Sequence, residues 1–163
     1  MLDITKVDPM LSINETRAAG FHYDIGRQLA PLREEGVLII GSGNLVHNLH
    51  AYAWGQHAVA AYDWAVSFEK NARELLLGGA YAFLVNYERL GRDALLSIPT
   101  LDHYLPLLYV IGAAAERERI TFPVEGVDGA SISMLAVQVG DANSANAEFP
   151  RLATSPDGPR TVI

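Results

Sequence analysis

The feature that most restricts the fold is the run Val37-Leu38-Ile39-Ile40, which lies between Gly36 and the turn sequence Gly41-Ser42-Gly43-Asn44. A strand with no polar residue in alternation has no side to give to water, so the pattern is that of a strand covered on both faces of a parallel sheet. Upstream, Thr16 to Glu35 repeats apolar side chains at Phe21, Ile25, Leu29 and Leu32, one face of an amphipathic helix, and Gly36 supplies a left-handed stop. Helix followed by buried strand predicts an α/β fold of three layers, with a central, mostly parallel sheet flanked by helices. The glycines after the strand permit a sharp bend, and ligands of open α/β sheets bind at such strand ends. His47 lies just beyond.

The rest of the chain is consistent with that class. Asp63 to Leu77 places Trp64, Phe68, Ala72 and Leu75 on one helical face and stops at Gly78-Gly79. Tyr81 to Leu90 reads as a shorter helix, and Gly91 to Thr100 as a loop containing Pro99. Thr100 and Asp102 each offer an N-cap oxygen for a helix to about Glu116, which puts His103 in its first turn. Ile120 to Val124 and Ile132 to Val139 are β-branched and read as strands, separated by Glu125-Gly126-Val127-Asp128-Gly129. From Asp141 onward small and polar residues with three prolines predict a flexible tail, and there is no internal repeat.

Length and charge narrow the function. A chain of 163 residues, half of them hydrophobic, predicts one domain with a sizeable core. A net charge of -7 with only 12 Lys and Arg argues against nucleic acid as a partner, because phosphate binding needs clustered cations. The apolar stretch Leu105 to Ala115 is interrupted by Pro106 and Gly112 and is too short to span a bilayer, and the first residues lack the pattern of a secretory signal. These readings point to a cytoplasmic protein with no membrane partner. With no cysteine, any metal must be held by His, Asp or Glu.

Three ordered stretches, Gly36 to Leu49 (GVLIIGSGNLVHNL), Pro99 to Ala114 (PTLDHYLPLLYVIGAA) and Phe122 to Gly140 (FPVEGVDGASISMLAVQVG), look like the C-terminal part of class III extradiol ring-cleavage dioxygenases. The resemblance is to the LigB-like, DOPA 4,5-dioxygenase type and runs from about Leu11 to Gly140. Residues 1–10 match poorly, and 141–163 form the tail. The resemblance implies an α/β fold that opens catechol rings with O2 and non-haem Fe(II), with Zn(II) occupying the same site in some members. It implies that His47 lies at the metal site as acid/base, and that His103 is a second histidine lining that site. The family commonly reads Pro-Thr-Pro-Glu-His where this chain has Leu101 and Asp102 before His103. Members also carry His-Gly-Ser-Pro and Ala-His-Trp motifs in an N-terminal half, and neither occurs here. The expectation is therefore a truncated form with impaired activity, acting on a small aromatic diol and O2. The alternative is a non-catalytic oligomeric scaffold or a metal-binding relative, in which the surface left by the absent half is buried between copies.

The residue chemistry is compatible with these expectations. A two-histidine, one-carboxylate arrangement leaves open positions on iron for a catechol and O2. A histidine titrating near neutrality suits the proton that must leave and return to the catechol. For His103, the positive end of a helix dipole would favour neutral imidazole by about 1 kcal/mol. His47 and His50 are three apart and could share a helical face, while His22 and His57 read as structural or solvent-facing. Tyr52, Trp54, Tyr104 and Tyr109 could line an aromatic pocket or belong to the core.

Overall fold

The computed structural model describes residues 10–56 and 59–141. The expected tail, the poorly matched first nine residues and His57 lie outside the described residues. The elements in chain order are α1 (Ala19–Glu34), α2 (Asp63–Leu77), α3 (Tyr81–Val85), a 3-10 turn (Tyr87–Leu90), α4 (Arg92–Ser97), α5 (Leu105–Gly112), β1 (Ile120–Val124), β2 (Val127–Asp128), β3 (Ile132–Ser133) and β4 (Ala136–Val139). Helices and strands together make a mixed α/β structure.

The central parallel sheet expected from the sequence does not occur among the described residues. β1 pairs with β4 and β2 with β3, both antiparallel, as two separate two-stranded sheets. Val37 to Ile40 belongs to neither. Leu38 and Ile40 are each 79% exposed, and no described segment offers this stretch a ladder. The apolar run asks for cover on both faces, and the described residues supply it only in part, with Ile39 half-buried and Leu38 and Ile40 exposed.

α5 is the centre of the core. Leu105, Leu108 and Ile111 are buried on it, alongside Phe68, Ala72 and Leu76 of α2, Leu84 of α3 and Ala94 of α4. α1 packs on α5, but with a different face from the one its apolar periodicity predicts. Its buried residues are Ala19, His22 and Gly26, while Phe21 is exposed. Gly26 and Gly112 explain the rotation: a Cβ on Gly26 would stand 2.5 Å from the Tyr109 carbonyl oxygen, and one on Gly112 would meet the Tyr23 carbonyl oxygen. The helices cross at a contact only glycines allow, and close backbone approach outweighs the larger stripe.

Three further expectations are corrected. Residues Arg92–Ser97, read as a loop, form α4 between Gly91 at φ +94° and Pro99. So short a helix has little local drive and is held by burial of Ala94 and Ser97 and by packing on α2. The helix expected from Thr100 or Asp102 to about Glu116 is only Leu105–Gly112, so His103 stands in the turn before it. Neither residue caps α5; its N-cap is Tyr104. The strand expected over Ile132 to Val139 is divided into β3 and β4, which pair with different neighbours.

Candidate functional site

His47 follows Gly41-Ser42-Gly43-Asn44 and a bend at Leu45 and Val46, in a short segment whose backbone is held on two sides. Its N–H donates to the Ser97 carbonyl at 2.9 Å, and it forms an isolated antiparallel bridge with Ile132. Its neighbours tighten that position. Ser133 N–H donates to the Val46 carbonyl at 2.9 Å, and Asn48 N–H to the Ser131 carbonyl at 3.2 Å. The buried Asn48 side chain donates from Nδ2 to the Leu96 carbonyl at 2.8 Å and accepts from Ala51 N–H at 3.1 Å. Because Asn48 ties the end of α4 to the segment bearing His47, the imidazole is fixed by its backbone and not by a hydrogen bond of its own.

His103 is anchored from the opposite side. Tyr104, the next residue, is buried and donates its hydroxyl to the Leu84 carbonyl at 2.8 Å, with burial pushing its pKa far up. Asn44 N–H donates to the His103 carbonyl at 2.9 Å, while Asn44 Nδ2 donates to the Ser133 carbonyl at 2.8 Å. Ser133 in turn donates its hydroxyl to the Glu69 carboxylate on α2. The glycines before Asn44 make this approach possible by lacking side chains: a Cβ at Gly41 would lie 2.6 Å from the Pro106 carbonyl oxygen, and one at Gly43 would collide with the His103 carbonyl oxygen. Neither has a positive φ, so what each glycine supplies here is the absence of a Cβ.

These anchors stack the two imidazoles face to face, with centroids 3.6 Å apart and an interplanar angle of 13°. Asp102 lies at the edge of the pair, its Oδ2 3.5 Å from Nε2 of His103. The Asp102 carboxyl is held below the usual carboxylate range, first by a hydrogen bond from Thr100 and then by the charge of His103. Burial and the neighbouring His103 charge lower the pKa of His47, against a smaller opposing pull from Asp102. His47 is therefore favoured as neutral imidazole, able to accept a proton near neutral pH.

The same geometry tests the fit of a metal. An imidazole binds an ion in its ring plane along the nitrogen lone pair, at about 2.0–2.1 Å for zinc. Two near-parallel planes 3.6 Å apart share no such point. Nδ1 of His103 is buried without a partner among the described residues. Among the described residues no group of three His, Cys, Asp or Glu side chains is placed to hold an ion. As arranged, the described residues do not by themselves fit Fe(II) or Zn(II).

The other candidates separate. His50 is exposed in a turn, so it shares no helical face with His47. His22 is fully buried, its Nδ1 2.8 Å from the Tyr109 hydroxyl, which makes both residues part of the α1–α5 packing. Tyr104 is core, Tyr52 bonds to Asp128, and Trp54 is exposed. Asn44, Asn48, Ser133 and Glu69 position the histidines without having been singled out in the sequence. Both asparagines lie in the stretch Ser42 to Asn48 around His47, which was the available signal.

No family model matches the chain. Individual relatives do. A protein of Escherichia coli K12 named 4,5-DOPA dioxygenase extradiol is 45% identical over 133 residues, 80% of this chain and 48% of that protein. A protein of the same name from Mirabilis jalapa is 34% identical over 109 residues, covering 67% of this chain and 40% of its own length. A crystal structure of an uncharacterised Escherichia coli K12 protein superposes with a TM-score of 0.72 at 43% identity, over 79% of this chain and 53% of that one. The chain spans less than half the length of these named relatives, and in the Escherichia coli protein the match falls on the C-terminal part. No helix among the described residues is long and apolar enough to cross a membrane. By sequence over four fifths of its length, the chain is a homologue of the C-terminal part of proteins named 4,5-DOPA dioxygenase extradiol, and it shares the fold of the uncharacterised Escherichia coli K12 protein.

Proposed function

We propose that the chain supplies the proton-handling part of a site that opens a catechol ring of the DOPA type with O2. The observation that carries this reading is the stacked His47–His103 pair, brought together from two distant segments, in a chain whose relatives are named extradiol dioxygenases. His47, kept neutral by burial and by its neighbour, takes the proton of a catechol hydroxyl and later returns it. The anionic Asp102 beside the pair steadies the positive charge that results.

Fe(II) or Zn(II) belongs to this proposal with ligands beyond these two imidazoles. Coordination by both His47 and His103 requires one ring to leave the stack. An ion held there would supply the activation of the catechol and O2; this chain's own contribution is the proton transfer. The central parallel sheet, with Val37 to Ile40 as one strand, is likewise proposed for the complete catalytic unit.

The test is O2 uptake together with the absorbance of a ring-opened product, using purified chain, Fe(II) and DOPA. Weak turnover that disappears in His47→Ala is the expected result. Failure to form product from DOPA or simpler catechols, both with the chain alone and with the complementary half of the Escherichia coli relative added, sinks the reading. A second reading, a non-catalytic oligomer, draws on the exposed Leu38 and Ile40. A monomer in light scattering removes it.

A further inference from the structure

Ser133 bonds to both of the segments that carry the stacked imidazoles. Its N–H donates to the carbonyl of Val46, next to His47, at 2.9 Å, and its own carbonyl accepts at 2.8 Å from Nδ2 of Asn44, whose N–H holds the His103 carbonyl. A displacement of Ser133 therefore shifts one ring against the other. The Ser133 side chain is fully buried with both roles of its hydroxyl filled: it accepts from Leu135 N–H at 3.1 Å and donates to the Glu69 carboxylate. Glu69 is half-buried on α2 and itself bonds to neither imidazole among the described residues.

α2 also grips the other end of the same hairpin. Arg73, one helical turn after Glu69, makes a bidentate pair with Glu125, at 2.6 Å from Nη1 and 3.0 Å from Nη2, and its guanidinium lies over the Phe122 ring at 4.5 Å. Glu125 stands just before β2 and Ser133 ends β3, so neighbouring turns of one helix hold both ends of this hairpin. Between those ends, Ile132 bridges to His47, and Ser131 accepts from Asn48 N–H and donates its hydroxyl to the Asn48 carbonyl. The two grips differ in strength. Arg73 and Glu125 are exposed, where an ion pair contributes little, while a buried hydroxyl donating to a carboxylate is a charge-assisted bond of the stronger kind.

We infer that Glu69 is a positioning residue for the proposed proton transfer: through the Ser133 hydroxyl, α2 sets the gap at which His47 and His103 stack. The property that matters is the reach of an acceptor oxygen from α2 to Ser133. Glutamine presents an acceptor at the same reach without the charge, whereas aspartate keeps the charge and is one methylene too short. The inference rests on the role proposed for His47 and names what fixes its geometry.

The experiment is NMR of the metal-free full chain, reading the nuclear Overhauser contacts between the His47 and His103 rings and the ring-current displacement of their protons, with thermal melting alongside. Glu69→Gln should keep the parent pattern, and Glu69→Asp should lose at least half of both signals. A role confined to stability would instead lower the melting temperature of Glu69→Asp and leave the rings in place. Arg73→Gln, at the exposed grip, keeps the test available if Glu69→Asp does not fold, with a smaller displacement expected in the same direction. Rings unmoved in every folded variant, or moved as far in Glu69→Gln as in Glu69→Asp, overturn the inference. Because the measurement needs neither metal nor catechol, a chain that opens no ring counts against the proposed chemistry alone.

Discussion

Leu38 and Leu45 are seven residues apart in one continuous stretch, yet one is 79% exposed and the other 4%. Nothing in residue type separates them. The segment from Asn44 to Asn48 finds partners within the described residues: His103, Ser97, Ser131 and Ser133 take up its backbone groups or donate to them, and α5 and α2 bury its side chains. From Leu38 to Gly43 no backbone group finds a hydrogen-bond partner among the described residues, although Gly41 and Gly43 pack on Pro106 and His103. The first is structure this chain makes for itself, and the second is a surface it presents.

The largest test of that contrast is paired truncation. Leu45→Ala removes a buried side chain and is expected to lower unfolding free energy by about 2–5 kcal/mol in urea denaturation. Leu38→Ala in the isolated chain is expected to stay within about 0.5 kcal/mol of the parent. Equal losses at both positions would mean that Leu38 is packed in solution. Gly43→Ala attacks the hinge between the two segments by driving a Cβ into the His103 carbonyl. It should destabilise by about 1–3 kcal/mol, with the ring-current shifts of the His47 and His103 protons moving as the stack opens.

Asn48→Ala tests how the second segment holds its histidine. Leaving the Leu96 carbonyl and Ala51 N–H unmatched should reduce stability by about 1–3 kcal/mol and broaden the His47 ring signals in NMR. A sharp, unshifted His47 would show that Ser97 and Ile132 suffice. The smallest effect is in pH. Because the folded pKa of His47 lies below its ordinary value near 6.5, the unfolded chain takes up its proton first on acidification. The stability from neutral His47 is present above about pH 6.5 and is lost as pH falls through the lowered folded value. An NMR titration of His47 should midpoint below 6.5, and His103→Ala, which removes the neighbouring like charge, should raise that midpoint. A midpoint above 6.5 would place the Asp102 charge ahead of burial.

The sequence by itself determined the pieces that depend on local pattern. The apolar stripe of α2 with its glycine stop and the β-branched β1 are legible, because periodicity and turn chemistry are properties of neighbouring residues. Tertiary structure decided the rest. The buried face of α1 follows from glycine contact with α5 and not from its larger apolar stripe. α4 exists because Ala94 and Ser97 are buried. The histidine stack depends on Asn44 and Asn48 bonding to carbonyls far along the chain, which no local spacing encodes. Val37 to Ile40 shows the division most clearly: its composition demands cover on both faces, but whether a strand forms there depends on which backbone lies beside it, since a ladder hydrogen bond needs two chains.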